Sequence, residues 1–208
     1  DGTFLLDGGA MFGIVPKPLW SREVHADEKN RMLLRCNCPL ILAGKEKILI
    51  DCGLGRKWTA KQREIYGIGP GPTLIHDLNR VGVRPEEVTV LALTHLHLDH
   101  AGWLTKATSS SPAEPVFVNA RHLVERRELA VARAPNELQR GTYLRENIEP
   151  LERGRGFEVF DESIAIVPGV TMFRTGGHTA GYCCVRIESG GQKALFIGEM
   201  MPTVAHRH

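Results

Sequence analysis

Thr94-His95-Leu96-His97-Leu98-Asp99-His100 packs three histidines and a carboxylate into the six residues from His95 to His100. Ahead of it runs Val88-Thr89-Val90-Leu91-Ala92-Leu93, apolar and β-branched, which reads as a buried strand. Behind it, Ala101-Gly102-Trp103 signals a turn. The donor side chains therefore stand where a rigid strand yields to a loop, precise in position yet reachable by solvent. His95 and His97 are two apart, so an extended backbone sends both to one side. Neutral imidazole is a good ligand for zinc and similar borderline metals. Asp99 and His100 follow as the chain turns and can face a second ion. Metal pairs about 3.5–4 Å apart are a known hydrolytic arrangement. A solitary loop histidine reads as a surface residue; three with an aspartate at this spacing read as ligands.

The chain has 208 residues, of which 42% are hydrophobic, enough for one domain with a sizeable core. Lys and Arg number 26 against 24 Asp and Glu, so no basic surface argues for nucleic acid or a membrane face. No apolar run approaches the ~20 residues of a membrane span. Cys36, Cys38, Cys52, Cys183 and Cys184 form no regular framework and lie in apolar, strand-like runs, so they are expected as free structural thiols in a reducing compartment. The cytoplasm is the expected location. The chain opens at Asp1 without Met, which leaves a periplasmic or secreted origin open.

Thr3–Leu6, Met32–Leu42 (broken by Pro39) and Lys47–Ile50 read as strands, with Gly44-Lys45 as a hairpin turn before the last. Ala10–Trp20 is apolar but broken by Gly13, Pro16 and Pro18, and is expected to be irregular. Met11, Phe12 and Trp20 would make it an apolar wall for a substrate. Helices are expected at Thr59–Tyr66 and Thr73–Val81, the second with His76 on its surface. Thr108–Pro112 reads as a polar loop and Val116–Val118 as a strand. Asn119 is placed as the cap of a helix to about Ala134, with Arg121, Arg126, Arg127 and Arg133 on its solvated face, and a weaker helix at Asn136–Ile148 follows. From Phe157 the pattern turns to strands: Phe157–Phe160, Ile164–Val167, Val170–Phe173, Tyr182–Ile187 and Ala194–Ile197. Strands, then strand and helices, then strands again suggest two packed sheets with helices outside, in one domain spanning 1–208.

Two later stretches extend the donor set. Thr175-Gly176-Gly177-His178-Thr179-Ala180-Gly181 carries His178 in a glycine-rich loop after a strand, and Gly198-Glu199 puts a carboxylate at another strand end. Asp51, at the end of the Lys47–Ile50 strand, is placed to support a ligand from behind; alone it would read as a turn-capping residue.

With these residues the sequence resembles the metallo-β-lactamase superfamily. The motif is His-x-His-x-Asp-His at His95, His97, Asp99 and His100, with Asp-x-Gly at Asp51–Gly53, Gly-His-Thr-x-Gly at Gly177–Gly181 and Gly-carboxylate at Gly198-Glu199. Asp7–Gly13, Pro16–Trp20 and Met201–His206 are similar to the quorum-quenching lactonase branch, near methyl-parathion-type hydrolases. The resemblance implies an α+β fold, the four-layer αββα sandwich, with its C-terminal part beyond residue 208. It implies a first metal held by His95, His97 and His178 and a second by Asp99 and His100, with Glu199 in the bridging position. Two zinc ions are expected, with manganese, iron or cobalt as other candidates. The implied activity is opening of a lactone or related ester by a metal-bound hydroxide, with Asp99 carrying a proton to the leaving group. A thioesterase, aryl esterase or organophosphate hydrolase of the same fold, or a catalytically impaired metal-binding relic, is the alternative. The expected partner is a small-molecule substrate, without nucleic acid or membrane; the oligomeric state stays open, a dimer among the options. Family members carry Asp where Glu199 stands, and a last histidine ligand further along. His206 and His208 are the candidates for that ligand within this chain.

Overall fold

The computed structural model describes residues 1–107 and 113–207; the loop expected at Thr108–Pro112 and the candidate ligand His208 lie outside the described residues. β1 (Thr3–Asp7) pairs antiparallel with β2 (Arg31–Arg35), and α1 (Gly8–Phe12) and α2 (Lys17–Trp20) lie between them. β3 (Leu40–Ala43) and β4 (Glu46–Ile50) form the expected hairpin, with Gly44 in the left-handed region at φ 61°. α3 (Ala60–Tyr66) starts at a capping box between Thr59 and Gln62, and α4 (Leu74–Arg80) starts at Thr73, with His76 exposed as expected. β5 (Val90–Ala92) is the strand before the histidine motif. Then come β6 (Thr105–Lys106), β7 (Glu114–Pro115), β8 (Arg121–Glu125), α5 (Arg126–Arg133) and α6 (Arg145–Glu152). The chain continues through β9 (Glu158–Phe160), β10 (Ser163–Val167), β11 (Val170–Arg174), β12 (Cys183–Ser189) and β13 (Gln192–Phe196).

Two sheets carry the fold. One has the order β3-β4-β5-β8-β9, with β4, β5, β8 and β9 parallel; the other is the antiparallel meander β10-β11-β12-β13. Ile48, Ile50, Val90, Ala92 and Leu123 from the first meet Ile166, Val170, Met172, Cys183 and Val185 from the second in the core between them. On the other face of the first sheet, Leu49, Leu91 and Val124 pack under Leu74, Leu78, Leu129, Ala132, Ile148 and Leu151 of α4, α5 and α6. This is an α+β sandwich of two packed sheets; among the described residues the helices α4, α5 and α6 cover the outer face of the first sheet, and the fourth, helical layer expected outside the second is not seen. The parallel strands are covered on both faces, which is why they read as unbroken apolar runs rather than as alternation. No helix of the described residues is long and apolar enough to cross a membrane. All five cysteines are free thiols.

Four local expectations change. Ala10–Trp20 is not wholly irregular: the Asp7 carboxylate accepts from Gly9 N at 2.8 Å and starts α1, while Pro16 and Pro18 stand at the start of α2, where proline is tolerated. Val116–Val118 is a turn that buries Phe117, with Ala120 N donating to Phe117 O at 3.1 Å. The helix expected from Asn119 is a strand first, because Arg121–Glu125 completes the parallel sheet between β5 and β9; the helix begins only at Arg126, where Glu125 caps it. A short apolar run buried on both sides does not reveal its period. The weaker helix at Asn136–Ile148 is replaced by turns until Arg145, because the Asn136 side chain accepts from Leu138 N and Gln139 N, both at 3.0 Å. The four arginines of the expected solvated face are exposed and pair with acidic residues: Arg121 with Glu158, Arg126 with Asp161, Arg127 with Glu162 and Arg133 with Glu152.

Candidate metal centre

The site lies along one edge of the sandwich, at the carboxyl ends of the parallel strands, where open α/β sheets place their ligands. Asp51 follows β4, Thr94–His100 follows β5, and Glu125 ends β8. The loop 175–182 joins β11 to β12 at the same edge, and Glu199 follows β13 there. Cys183 N donates to Thr94 O at 2.9 Å, locking the two sheets together beside the histidines.

Six of the residues named from sequence converge in two groups. Donor atoms of His95, His97 and His178 lie within 4.8 Å of one another, and so do those of Asp99, His100 and Glu199. His95 is fully buried, and its Nδ1 faces Thr94 Oγ1 at 3.0 Å. Its Nε2 is buried without any hydrogen-bond partner. An orphaned buried nitrogen is costly unless something coordinates it, and a cation between these imidazoles would do so. His97 Nδ1 and His178 Nε2 are 3.0 Å apart, so one ring donates to the other where both could face an ion. Burial, with the neighbouring His178 and His100, lowers His97 to about 3; burial also drives His95 well below the usual histidine value. Both are therefore neutral at pH 7, the form that binds metals.

The second group is charged. His100 Nε2 lies 3.5 Å from Asp99 Oδ2 and 3.6 Å from Glu199 Oε1. Burial opposes a charge on His100, but Asp99, Asp51 and Glu199 outweigh it and raise its pKa well above the usual value. Burial raises Asp99. On Glu199 the same burial is overcome by His100, His178 and His97, and its pKa falls.

Asp51 stands behind this group as expected. Its carboxylate accepts from Thr94 N at 2.7 Å and Thr94 Oγ1 at 2.8 Å, and meets His100 Nδ1 at 2.8 Å. It adopts φ 56°, a left-handed conformation that aspartate tolerates better than most residues. Tyr182 holds Glu199 from below: its hydroxyl donates to Ile197 O at 2.9 Å and accepts from Glu199 N at 2.7 Å. Gly198 is required between them, since a Cβ there would come within 2.4 Å of the Tyr182 hydroxyl.

Other named residues lie elsewhere. His206 joins neither group: Nδ1 meets Thr203 Oγ1 at 2.8 Å and Nε2 meets Met11 O at 3.0 Å. Its ring stacks on Phe12 at 4.7 Å, and Phe12 stacks on Trp20 at 5.2 Å. Trp20 is only 4% exposed. A cavity of about 400 Å³ borders Asp99, His100 and Glu199, and its apolar wall is Phe4, Leu33, Leu34, Leu195 and Phe196 rather than Met11, Phe12 and Trp20. Sequence reading missed Glu128, Tyr143 and Tyr182, whose side chains reach the site only through the fold.

The comparisons with known proteins match this geometry. The model of the metallo-beta-lactamase superfamily matches residues 31–206. The chain belongs to the metallo-β-lactamase superfamily. A solved structure from Staphylococcus aureus, described as a probable metal-dependent hydrolase, superposes with a TM-score of 0.91 at 35% identity, covering 99% of this chain and 72% of that one. An N-acyl homoserine lactonase from a Bacillus species is 31% identical over 116 residues, 56% of this chain and 39% of that protein. The N-acyl homoserine lactonase AiiA of Bacillus thuringiensis subsp. kurstaki is 29% identical over 162 residues, 73% of this chain and 58% of that protein. The chain thus spans less than two thirds of the length of these curated relatives. The family fold binds divalent metals, and the two donor groups are candidate sites for them; the unpartnered His95 Nε2 fits such a role.

Proposed function

We propose that the protein is a metal-dependent hydrolase that opens a lactone or a related carboxylic ester, with zinc ions held by the two donor groups. The observation that carries this reading is the convergence of donor atoms of His95, His97 and His178 beside those of Asp99, His100 and Glu199, with His95 Nε2 buried and unpartnered. The relatives named N-acyl homoserine lactonases support an acyl lactone as the substrate class. Zinc in such sites acts as a Lewis acid and lowers the pKa of bound water from 15.7 to about 7.

The chain's own residues supply the rest. His95, His97 and His178 would hold the first ion and Asp99, His100 and Glu199 the second. Asp51 fixes the His100 ring through Nδ1. The Asp99 carboxylate carries a proton to the leaving alkoxide. The cavity walled by Phe4, Leu34 and Phe196 takes the apolar part of the ester.

Metal analysis of the purified protein is expected to find one to two zinc-like ions per chain. A pH-monitored panel of acyl lactones, aryl esters, organophosphates and thioesters then reads the substrate. Fastest turnover is expected on the lactones. Preference for a thioester or aryl ester would move the assignment within the fold, and a metal-loaded but inert protein would favour the impaired relic. One relative is a ribonuclease from Thermus thermophilus, 27% identical over 169 residues, which covers 34% of that protein. The near balance of 26 basic and 24 acidic residues speaks against RNA as the substrate here.

A further inference from the structure

We infer that Glu128 is a brace between the two loops that carry the first group of histidines, and so a positioning residue for the metal they hold. The inference rests on the metal reading above.

Glu128 lies in the first turn of α5 and is fully buried. Its three partners come from three different segments, each touching a histidine of the first group. Oε1 accepts from Leu96 N at 2.9 Å, the amide between His95 and His97. The same oxygen accepts from the Tyr143 hydroxyl at 3.0 Å, and the Tyr143 ring stands edge-on to His97 with centroids 4.8 Å apart. Oε2 accepts from Thr179 Oγ1 at 2.5 Å, one residue after His178. One carboxylate therefore ties two loops whose contacts with it span 32 and 51 residues of chain.

The packing around it requires this closeness. A Cβ on Gly181 would come within 2.3 Å of Glu128 N and 2.6 Å of Glu125 Oε2, so the loop of His178 is seated directly on the start of α5. All three partners of Glu128 are donors to its two carboxylate oxygens. A core needing only to be filled would take an apolar residue at this position at lower cost. The carboxylate is retained where its donors set the spacing of His97 and His178, whose facing nitrogens are 3.0 Å apart. Such outer hydrogen-bond partners orient metal ligands.

The test is zinc affinity by chelator competition, together with the ligand-field spectrum of the cobalt-substituted protein, on wild type, Glu128→Gln and Thr179→Val. Glu128→Gln is expected to weaken zinc binding by roughly 10–100-fold and to shift the cobalt bands. Thr179→Val, which removes one donor and keeps the shape, should weaken it several-fold. The double variant should be no worse than Glu128→Gln alone, because both act through one link. Should Glu128→Gln fail to fold, Thr179→Val and Tyr143→Phe carry the test. Zinc affinity and cobalt bands unchanged in these variants would overturn the brace and leave the metal reading standing. A wild-type protein that binds no metal would overturn both.

Discussion

His95, His97 and His178 bring nitrogen alone to one point, whereas Asp99, His100 and Glu199 bring one nitrogen and two carboxylates to the next. The two groups meet opposite electrostatic conditions. In the first, burial keeps the imidazoles neutral, and His95 Nε2 has no hydrogen-bond partner. In the second, one imidazole, His100, faces the carboxylates of Asp99, Asp51 and Glu199, so the negative charges outnumber the positive one. Their supports differ too. The first group is tied by Glu128 across two loops, while the second is held by Asp51 and the Tyr182 hydroxyl. The two groups therefore differ in what they offer an ion, neutral nitrogens in the first and carboxylates in the second. The second offers a cation an excess of negative charge instead.

The largest expected effect tests that asymmetry directly. His97→Ala should strip the first ion and lower hydrolysis by more than the roughly 10–100-fold that outer partners cost. Metal content by mass spectrometry checks it; two ions retained at wild-type affinity would break the contrast. Next, Asp51→Asn removes the carboxylate behind His100, and a loss of roughly 10–100-fold in second-site affinity is expected while the first ion stays bound. Equal loss from both sites would mean the groups are one unit.

Tyr182→Phe is a smaller change. It frees Ile197 O and Glu199 N of their partner; both are partly buried, so the cost falls at the low end, about 1 kcal/mol. Denaturant unfolding should show that fall, with the second ion released at lower chelator concentration than the first. The smallest effect separates the site from the scaffold by pH. In the chelated protein, His97 at about 3 and His122 at about 4 both lie below the unfolded histidine value, lowered by burial. The unfolded chain therefore takes up protons first as pH falls. The contribution of these two histidines is full above about pH 6.5 and drains toward about pH 3. His122 lies outside both groups, so His122→Leu should remove at most about one proton from that slope. A slope identical in both proteins would contradict its titration.

Much of the fold was legible because the signals were local. The motif after β5, the glycine turns of the late meander and the caps at Thr59 and Thr73 each act within a few residues. Where the reading failed, at Arg121–Glu125 and Asn136–Ile148, the deciding partners were distant strands or a side chain competing with helix hydrogen bonds. Of the site, the candidate donor residues that converge were readable from residue type and spacing. Of their supports, Asp51 was readable at its strand end; Glu128, Tyr143 and Tyr182 were not. Glu128 stands beside Arg126 and Arg127 and looks like one more surface charge until α5 turns it inward.

By itself, the sequence determined the kinds of donor atom, their grouping at strand ends and the family they belong to, since two-residue spacing and strand periodicity are properties of a short backbone. Only the tertiary structure decided which loops meet. His97 and His178 face each other across 81 residues because two sheets share one core and one edge. Such contacts are set by packing between elements, and no stretch of chain encodes them alone.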